Sequence, residues 1–385
     1  MRLTVGILAG ELSGDLLGAG LMRSLQDLVG TDQVRFVGVG GPRMQAAGLD
    51  SLFDMERLSV NGFVEPIRRF PELLRLLLQL RRHFLSEPPD VFVGVDFNVF
   101  NLLLERQLKK AGILTAHYVS PSVYAWRRGR IKRIARAADL VMALYPFEPP
   151  LYEDYDVRAE FVGHPMADDI PLEPMRMPAR QALGFEPDDT LVALLPGSRR
   201  SEVSLLGQLM LEAAQRIQAA EPDVQFLVPC VSSGIEAQMK ILVQAFPDLP
   251  VHLLALDGRQ PLAAADVALV KSGTGTLEAM LLGTPMVVTY RLGTVSYWIV
   301  RALKRSRFVA LPNIIADQAL VPELLQDEAT PDALASAVLE QLAQARAGQG
   351  PRAEFAELHR KLRRQASLQA ARAVLRLVSS PVRAA

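Results

Sequence analysis

Short apolar runs alternate along this chain with helix-length amphipathic stretches, and the alternation occurs twice. In the first half the runs are Val5–Ala9, Val34–Val39, Val91–Val95, Ala116–Val119 and Leu140–Leu144. In the second they are Leu191–Leu195, Gln225–Pro229, Val251–Leu254, Val267–Val270 and Met286–Tyr290. Runs this continuously apolar suit strands buried on both faces, with helices above and below, so the rhythm predicts βαβ units and two parallel, doubly wound sheets. Gly163-His164-Pro165 and the prolines Pro171, Pro174 and Pro178 mark a break between the halves. The expected organisation is an α/β domain over residues 1–170, a second over 171–350, and terminal helices over 351–385 that pack back on a domain or a partner chain. Two such halves imply a cleft.

Composition removes several classes. The 385 residues are half apolar, enough to fill two cores, and 42 Lys+Arg balance 42 Asp+Glu. Neutrality argues against a nucleic-acid binder working by bulk attraction to phosphates. The single cysteine, Cys230, excludes an intrachain disulfide and any multi-thiolate metal site, and points to the cytosol. The apolar start, Met1 to Gly10, breaks into Glu11 and Asp15, and no run is long enough to span a bilayer. The histidines, His83, His117, His164, His252 and His359, show no metal spacing; His117 and His164 follow strands and are the better site candidates.

In parallel sheets ligands gather where strands end and helices begin, because free N–H groups and the helix dipole favour anions. Three loops have that form. Gly10-Glu11-Leu12-Ser13-Gly14-Asp15 follows the first strand, and its spacing alone favours an ordinary capped turn. Pro196-Gly197-Ser198-Arg199 follows the first strand of the second half; Gly197 and Ser198 can offer N–H and hydroxyl donors, and Arg199 can bind phosphate bidentately. Within Lys271-Ser272-Gly273-Thr274-Gly275-Thr276, residues Ser272 to Thr276 form a small-residue nest, with Glu278 one turn into the helix, where a carboxylate can bridge ribose hydroxyls. Two anion-shaped loops in one half favour a nucleotide diphosphate there, leaving the first half for the other substrate. Asp96 ends the strand Val91–Val95 and reads equally as a helix cap or as a general base.

Residues 67–84 carry a broad apolar arc, including Phe70, Leu73, Leu74 and Leu77, rimmed by Arg68, Arg69, Arg81 and Arg82. That composition suits a helix lying on an anionic membrane surface, with a core or dimer helix as the alternative. Basic, aromatic runs at 126–133 and 298–307 fit the same acidic lipid partner.

Taken together, AGELSGDLLGAGL (9–21), FVGVGGPRMQAAG (36–48), HYVSPSVYAWRRGRIKRI (117–134), PFE (146–148) and GHPMAD (163–168) resemble the lipid-A-disaccharide synthases. So do LLPGSRRSEV (194–203), SGTGTLEAMLLGTPMVVTYR (272–291) and FVALPNIIA (308–316), in order through nearly the whole chain. The resemblance implies a GT-B fold of two Rossmann-like domains. It implies an inverting transfer of 2,3-diacylglucosamine from UDP to the 6-hydroxyl of 2,3-diacylglucosamine 1-phosphate in Gram-negative lipid A assembly. It also implies peripheral association with the cytoplasmic face of the inner membrane and, in some members, a homodimer through the C-terminal region; no metal or other cofactor is expected.

Carried over by motif, the resemblance makes Asp96 the general base. It places Gly197, Ser198, Arg199, Ser272, Gly273, Thr274, Glu278 and the LPN asparagine, Asn313, on the donor. Glu11, Ser13, Gly14, Asp15, Asn98, Ser120 and Ser122 fall on the acceptor side or its loops. One departure stands out: where the family reads Gly-Ile-Asp-(Ala/Ser)-Pro-Asp-Phe-Asn, this chain has Gly94-Val95-Asp96-Phe97-Asn98-Val99-Phe100-Asn101, so the second aspartate is Val99. A UDP-N-acetylglucosamine 2-epimerase, sharing the two-domain architecture, is the alternative reading.

Overall fold

A computed structural model describes residues 2–58, 69–121, 131–291 and 307–380. It divides into two units, residues 1–168 with 362–385, and residues 169–361. Unit 1 holds a seven-stranded sheet ordered β3-β2-β1-β4-β5-β6-β7. Its strands are β1 (Leu3–Ala9), β2 (Val34–Val39), β3 (Leu49–Ser51), β4 (Val91–Val95), β5 (Leu114–Tyr118), β6 (Leu140–Ala143) and β7 (Arg158–Phe161). Unit 2 holds a six-stranded sheet ordered β10-β9-β8-β11-β12-β13. These strands are β8 (Thr190–Leu195), β9 (Val224–Pro229), β10 (Val251–Leu254), β11 (Val267–Lys271), β12 (Met286–Tyr290) and β13 (Glu323–Leu325). Every pairing is parallel.

All ten apolar runs are strands, and the α/β expectation holds. Three edge strands were not legible. β3, β7 and β13 are short, and only Leu49 among their residues is fully buried, so they lack an apolar run. Each sheet reverses its order once, between β1 and β4 in unit 1 and between β8 and β11 in unit 2. Those reversals splay neighbouring loops apart and open a crevice at the strand ends. In unit 1, Ala9 pairs with Val95, which brings Gly10 beside Asp96. In unit 2, Leu195 pairs with Val270, which brings Pro196 beside Lys271.

One face of the unit 1 sheet packs on the helix Leu12–Val29 and, through Ala370, Ala371, Val374 and Leu377, on the terminal helix Ala366–Ser379 of the same chain. The Asp168 carboxylate, from GHPMAD, accepts from the amides of Gln365 (2.8 Å) and Ala366 (2.6 Å) and so fixes the start of that helix. The preceding helix, Arg352–Leu362, falls almost wholly within unit 2.

The other face packs on helices Phe70–Ser86 and Asn98–Lys110. The apolar arc read for membrane contact is therefore shared. Leu77 is buried in this core and Leu73 packs against it, which corrects both as membrane-facing residues. Phe70 (62% exposed), Leu74, Leu78 and Leu85 face outward. At about 100° per residue these four fall within an arc of roughly 80°. Arg69 is tied to Glu72, and Arg82 is exposed. Arg68, Ser122 and most of the two basic runs lie outside the described residues. No helix among the described residues is long and apolar enough to cross a membrane.

Candidate active site

The two order reversals gather most of the residues singled out from sequence. In unit 1, β4 ends at Val95 and the chain turns through Asp96 and Phe97 before the helix Asn98–Lys110. Both residues adopt left-handed backbone, with φ of 49° and 47°. For side chains with a Cβ this costs on the order of 1–2 kcal/mol each, so neighbours must enforce it. The Asp96 amide donates to Tyr118 O (2.8 Å), the Asn101 amide group donates to Asp96 O (2.8 Å), and the Phe97 ring lies over Gly10. A Cβ at Gly10 would stand 2.5 Å from that ring, so this loop needs glycine to let the turn close.

The turn presents a half-buried Asp96 carboxylate. Asn98 Nδ2 donates to Asp96 Oδ1 (3.1 Å), and Asn98 Oδ1 meets His117 Nε2 (3.0 Å). His117 Nδ1 meets Glu105 Oε1 (2.7 Å), with both side chains fully buried. Val99, where the family has its second aspartate, is 78% exposed and makes no part of this chain of contacts.

The first glycine loop supplies exposed Glu11 and Ser13, while Gly14 packs against Val95 O. Asp15 is different. It is buried and accepts from the amides of Arg43 and Met44 (3.0 Å each), so it caps the helix Pro42–Ala46 and ties two glycine-rich loops together. Its expected place on the acceptor is corrected to a structural one. Ser120 is corrected likewise: it is buried, with Oγ 2.8 Å from Tyr152 Oη.

Beside Ser120, burial pushes the Glu148 carboxyl up to about 8, against hydrogen bonds from Tyr145, Ser120 and Leu144. The folded chain thus holds a proton that the unfolded chain, titrating near 4.5, has released between those values. Stability contributed by that proton is complete below about pH 4.5 and is lost as pH rises through 8. His164, driven down to about 4 by burial, has the opposite sign, its contribution being complete above 6.5 and lost as pH falls through 4. Urea unfolding at pH 6.5 and 8 should therefore show wild type losing stability across this window relative to Glu148→Gln. Equal pH dependence in the two chains would contradict the assignment.

In unit 2 the loop after β8 turns at Gly197, whose φ of 135° suits glycine alone. The amides of Ser198 and Arg199 donate to Glu202 Oε2 (3.1 and 3.3 Å), and Lys271 Nζ donates to Glu202 Oε1 (3.0 Å). Glu202 thereby joins the loop after β8 to the end of β11. Burial opposes its ionisation, but Lys271 and the two amides prevail and hold its carboxyl below the usual range. The protein's own carboxylate thus occupies both of these loop amides. The Arg199 side chain, at the end of this loop, is 79% exposed and lies 3.6 Å from Glu202 Oε1.

The second loop opens the helix Thr274–Leu281, whose first turn has N–H groups without intrahelical partners. Gly273 and Thr274 stand at that turn. Ser272 is corrected as a donor to ligand: its amide already donates to Thr289 O (2.9 Å) and its hydroxyl to Val309 O (3.1 Å). Glu278 lies on the same helix, held by Arg259 Nε (3.1 Å), with burial raising its carboxyl and Arg259 opposing. Asn313 is fully buried. Nδ2 donates to Val321 O and Glu323 Oε1, and Oδ1 accepts from the amides of Leu320 and Val321, so no position is left for a ligand. Its expected donor contact is corrected to folding the segment before β13 onto the helix Leu311–Ala316.

Sequence reasoning gave no role to Glu202, Lys271, Arg259 or Glu105. Glu202 had a usable signal, an acid three residues into a helix after a glycine turn. Glu105 had none, because it sits on a helix and its partner, His117, comes from the next strand.

Two parallel α/β units, each with its polar residues at the reversal of strand order, are the halves of a GT-B fold. Solved structures agree at the level of fold. The Neisseria meningitidis UDP-GlcNAc 2-epimerase bound to UDP-GlcNAc matches with TM-score 0.61 and 12% identity, over 99% of this chain and 100% of that one. A Rickettsia africae glycosyltransferase matches with TM-score 0.56 and 11% identity, covering 100% of both. Within that fold class the chain belongs to the lipid-A-disaccharide synthetase family, whose model matches residues 5–374. The lipid-A-disaccharide synthase of Pseudomonas paraeruginosa strain PA7 is 48% identical over 377 residues, 98% of each chain. That of Hahella chejuensis is 46% identical over 375 residues, 97% of this chain and 94% of the relative. The epimerase likeness is one of fold only.

Proposed function

We propose that the chain is an inverting glycosyltransferase that joins UDP-2,3-diacylglucosamine to 2,3-diacylglucosamine 1-phosphate, giving the β-1,6-linked disaccharide 1-phosphate and UDP. The observation that carries this reading is the Asp96 carboxylate, held on a strained turn at the strand reversal of a chain that belongs to this family. Asp96 takes the proton of the acceptor's 6-hydroxyl as that oxygen attacks the anomeric carbon. The bond from that carbon to the diphosphate breaks, and its electron pair leaves with UDP. Charge growing on the diphosphate meets Arg199, Lys271 and the N–H groups that open the helix Thr274–Leu281, with Glu278 on the same helix for the ribose hydroxyls. These donors take the part a metal plays in other transferases, so the reading needs no cofactor. With purified chain, UDP release should depend strictly on the acylated acceptor and persist in EDTA; consumption of the sugar nucleotide without acceptor would instead favour the epimerase.

Acylated substrates reside in membranes, and the outward stripe Phe70, Leu74, Leu78 and Leu85, with Arg81 and Arg82 on the same helix, suits docking on the cytoplasmic face of the inner membrane. Each cation near an anionic surface contributes about 1 kcal/mol. Arg81→Glu with Arg82→Glu should accordingly weaken co-sedimentation with phosphatidylglycerol vesicles at least tenfold, and Phe70→Ser with Leu74→Ser should weaken it further. Unchanged sedimentation in both would remove this helix as the docking element.

A further inference from the structure

The chain of contacts behind Asp96 has a direction. A carboxylate only accepts, so Asn98 must turn its amino group to Asp96 and its Oδ1 to His117. Asn98 Oδ1 can only accept, so His117 must carry a proton on Nε2. Nδ1 then faces Glu105, whose second oxygen, Oε2, is buried without a hydrogen-bond partner. An unpartnered buried oxygen is far less costly on a neutral carboxyl than on a carboxylate. Burial also pushes the Glu105 carboxyl up, against the opposing His117 and Lys109. The consistent assignment is Glu105 O–H donating to Nδ1, Nε2–H donating to Asn98, and Asn98 N–H donating to Asp96. Room for Glu105 comes from Gly94, where a Cβ would stand 2.1 Å from Oε1.

We propose that Glu105 and His117 are positioning residues for Asp96: acting through Asn98, they engage Oδ1 of its carboxylate and leave Oδ2 as the atom that takes the acceptor's proton. This rests on Asp96 being the base. Donors aligned head to tail polarise one another and fix the carboxylate's rotation, while the left-handed turn fixes its backbone. Asp96, Asn98, His117 and Glu105 all belong to unit 1, whereas the donor loops belong to unit 2, so the effect falls on turnover and not on donor binding.

The test uses the full chain with both acylated substrates. His117→Phe and Asn98→Ala should each lower kcat about 10- to 100-fold, the range seen when outer partners of a reactive group are removed. The KM for the UDP-sugar should stay unchanged. Because the two act in one series, the double variant should be no slower than the slower single variant. Glu105→Leu should show the same loss, and Glu105→Gln, whose amide can still donate to Nδ1, should recover most of it. Independently of activity, ¹⁵N NMR of the wild-type chain should show the His117 proton on Nε2, a readout that survives if His117→Phe fails to fold. Wild-type turnover in folded His117→Phe, losses that multiply in the double variant, or a proton on Nδ1 alone would overturn the proposal. Asp96→Asn measured in parallel separates the two readings. If it keeps wild-type turnover, the base assignment falls and this proposal with it; if it is inactive while His117→Phe and Asn98→Ala are normal, only the positioning role falls.

Discussion

Asp96→Asn is expected to lower kcat by about 10³-fold, within the range that general base catalysis contributes, while leaving UDP-sugar binding intact. The substitution is chosen because the fold should tolerate it. Asparagine, like aspartate, enters the left-handed region more readily than most side chains, so the φ of 49° carries no new strain. Its carbonyl oxygen can still accept from Asn98. What it cannot do is take a proton. A loss confined to kcat would place the defect in the chemical step. Retained turnover would show that another group, or water, removes the proton.

Arg199→Ala is expected to cost about 10²–10³-fold in kcat, the loss typical when one donor to a developing anion is removed. Arg199 starts the helix Arg200–Ala220 but sends its side chain into solvent, 79% exposed, and its contact with Glu202 is a long 3.6 Å. Exposed pairs of this kind add little to stability, so the variant should fold normally. Lys271 and the N–H groups that open the helix Thr274–Leu281 remain, which is why some activity should persist. Arg199→Lys should fall between the two, keeping the charge but losing the fork that grips two phosphate oxygens. Normal turnover in Arg199→Ala would assign diphosphate stabilisation to Lys271 and those helix N–H groups alone.

The sequence carried most of the fold because buried parallel strands are continuous apolar runs, and all ten such runs are strands. β3, β7 and β13 escaped notice because edge strands shed little area and need few apolar residues. At the sites, loop chemistry was legible where geometry is local: Gly197, Arg199 and Asp96 all follow strands that end at a reversal of order. What a linear pattern cannot show is whether a polar side chain is already occupied. Asp15, Ser120, Ser272 and Asn313 sit in motifs that looked ligand-facing, yet the first three are held by partners distant in sequence and Asn313 by the segment that folds back before β13. Leu77 fails for a related reason, since a wide apolar arc does not say which part of it the neighbouring helix Asn98–Lys110 covers. The Glu105 and His117 pair joins a helix to the next strand and exists only once both are packed.

The central claim is a single displacement at the anomeric carbon, assisted by one base. Its most direct test is the NMR anomeric coupling of the disaccharide made by the purified chain from the two acylated substrates, measured together with the UDP released. The account predicts a β linkage to the acceptor's 6-position and one UDP per disaccharide. An α linkage, which would demand a covalent or front-side route that Asp96 alone does not provide, or the absence of any disaccharide, would contradict it.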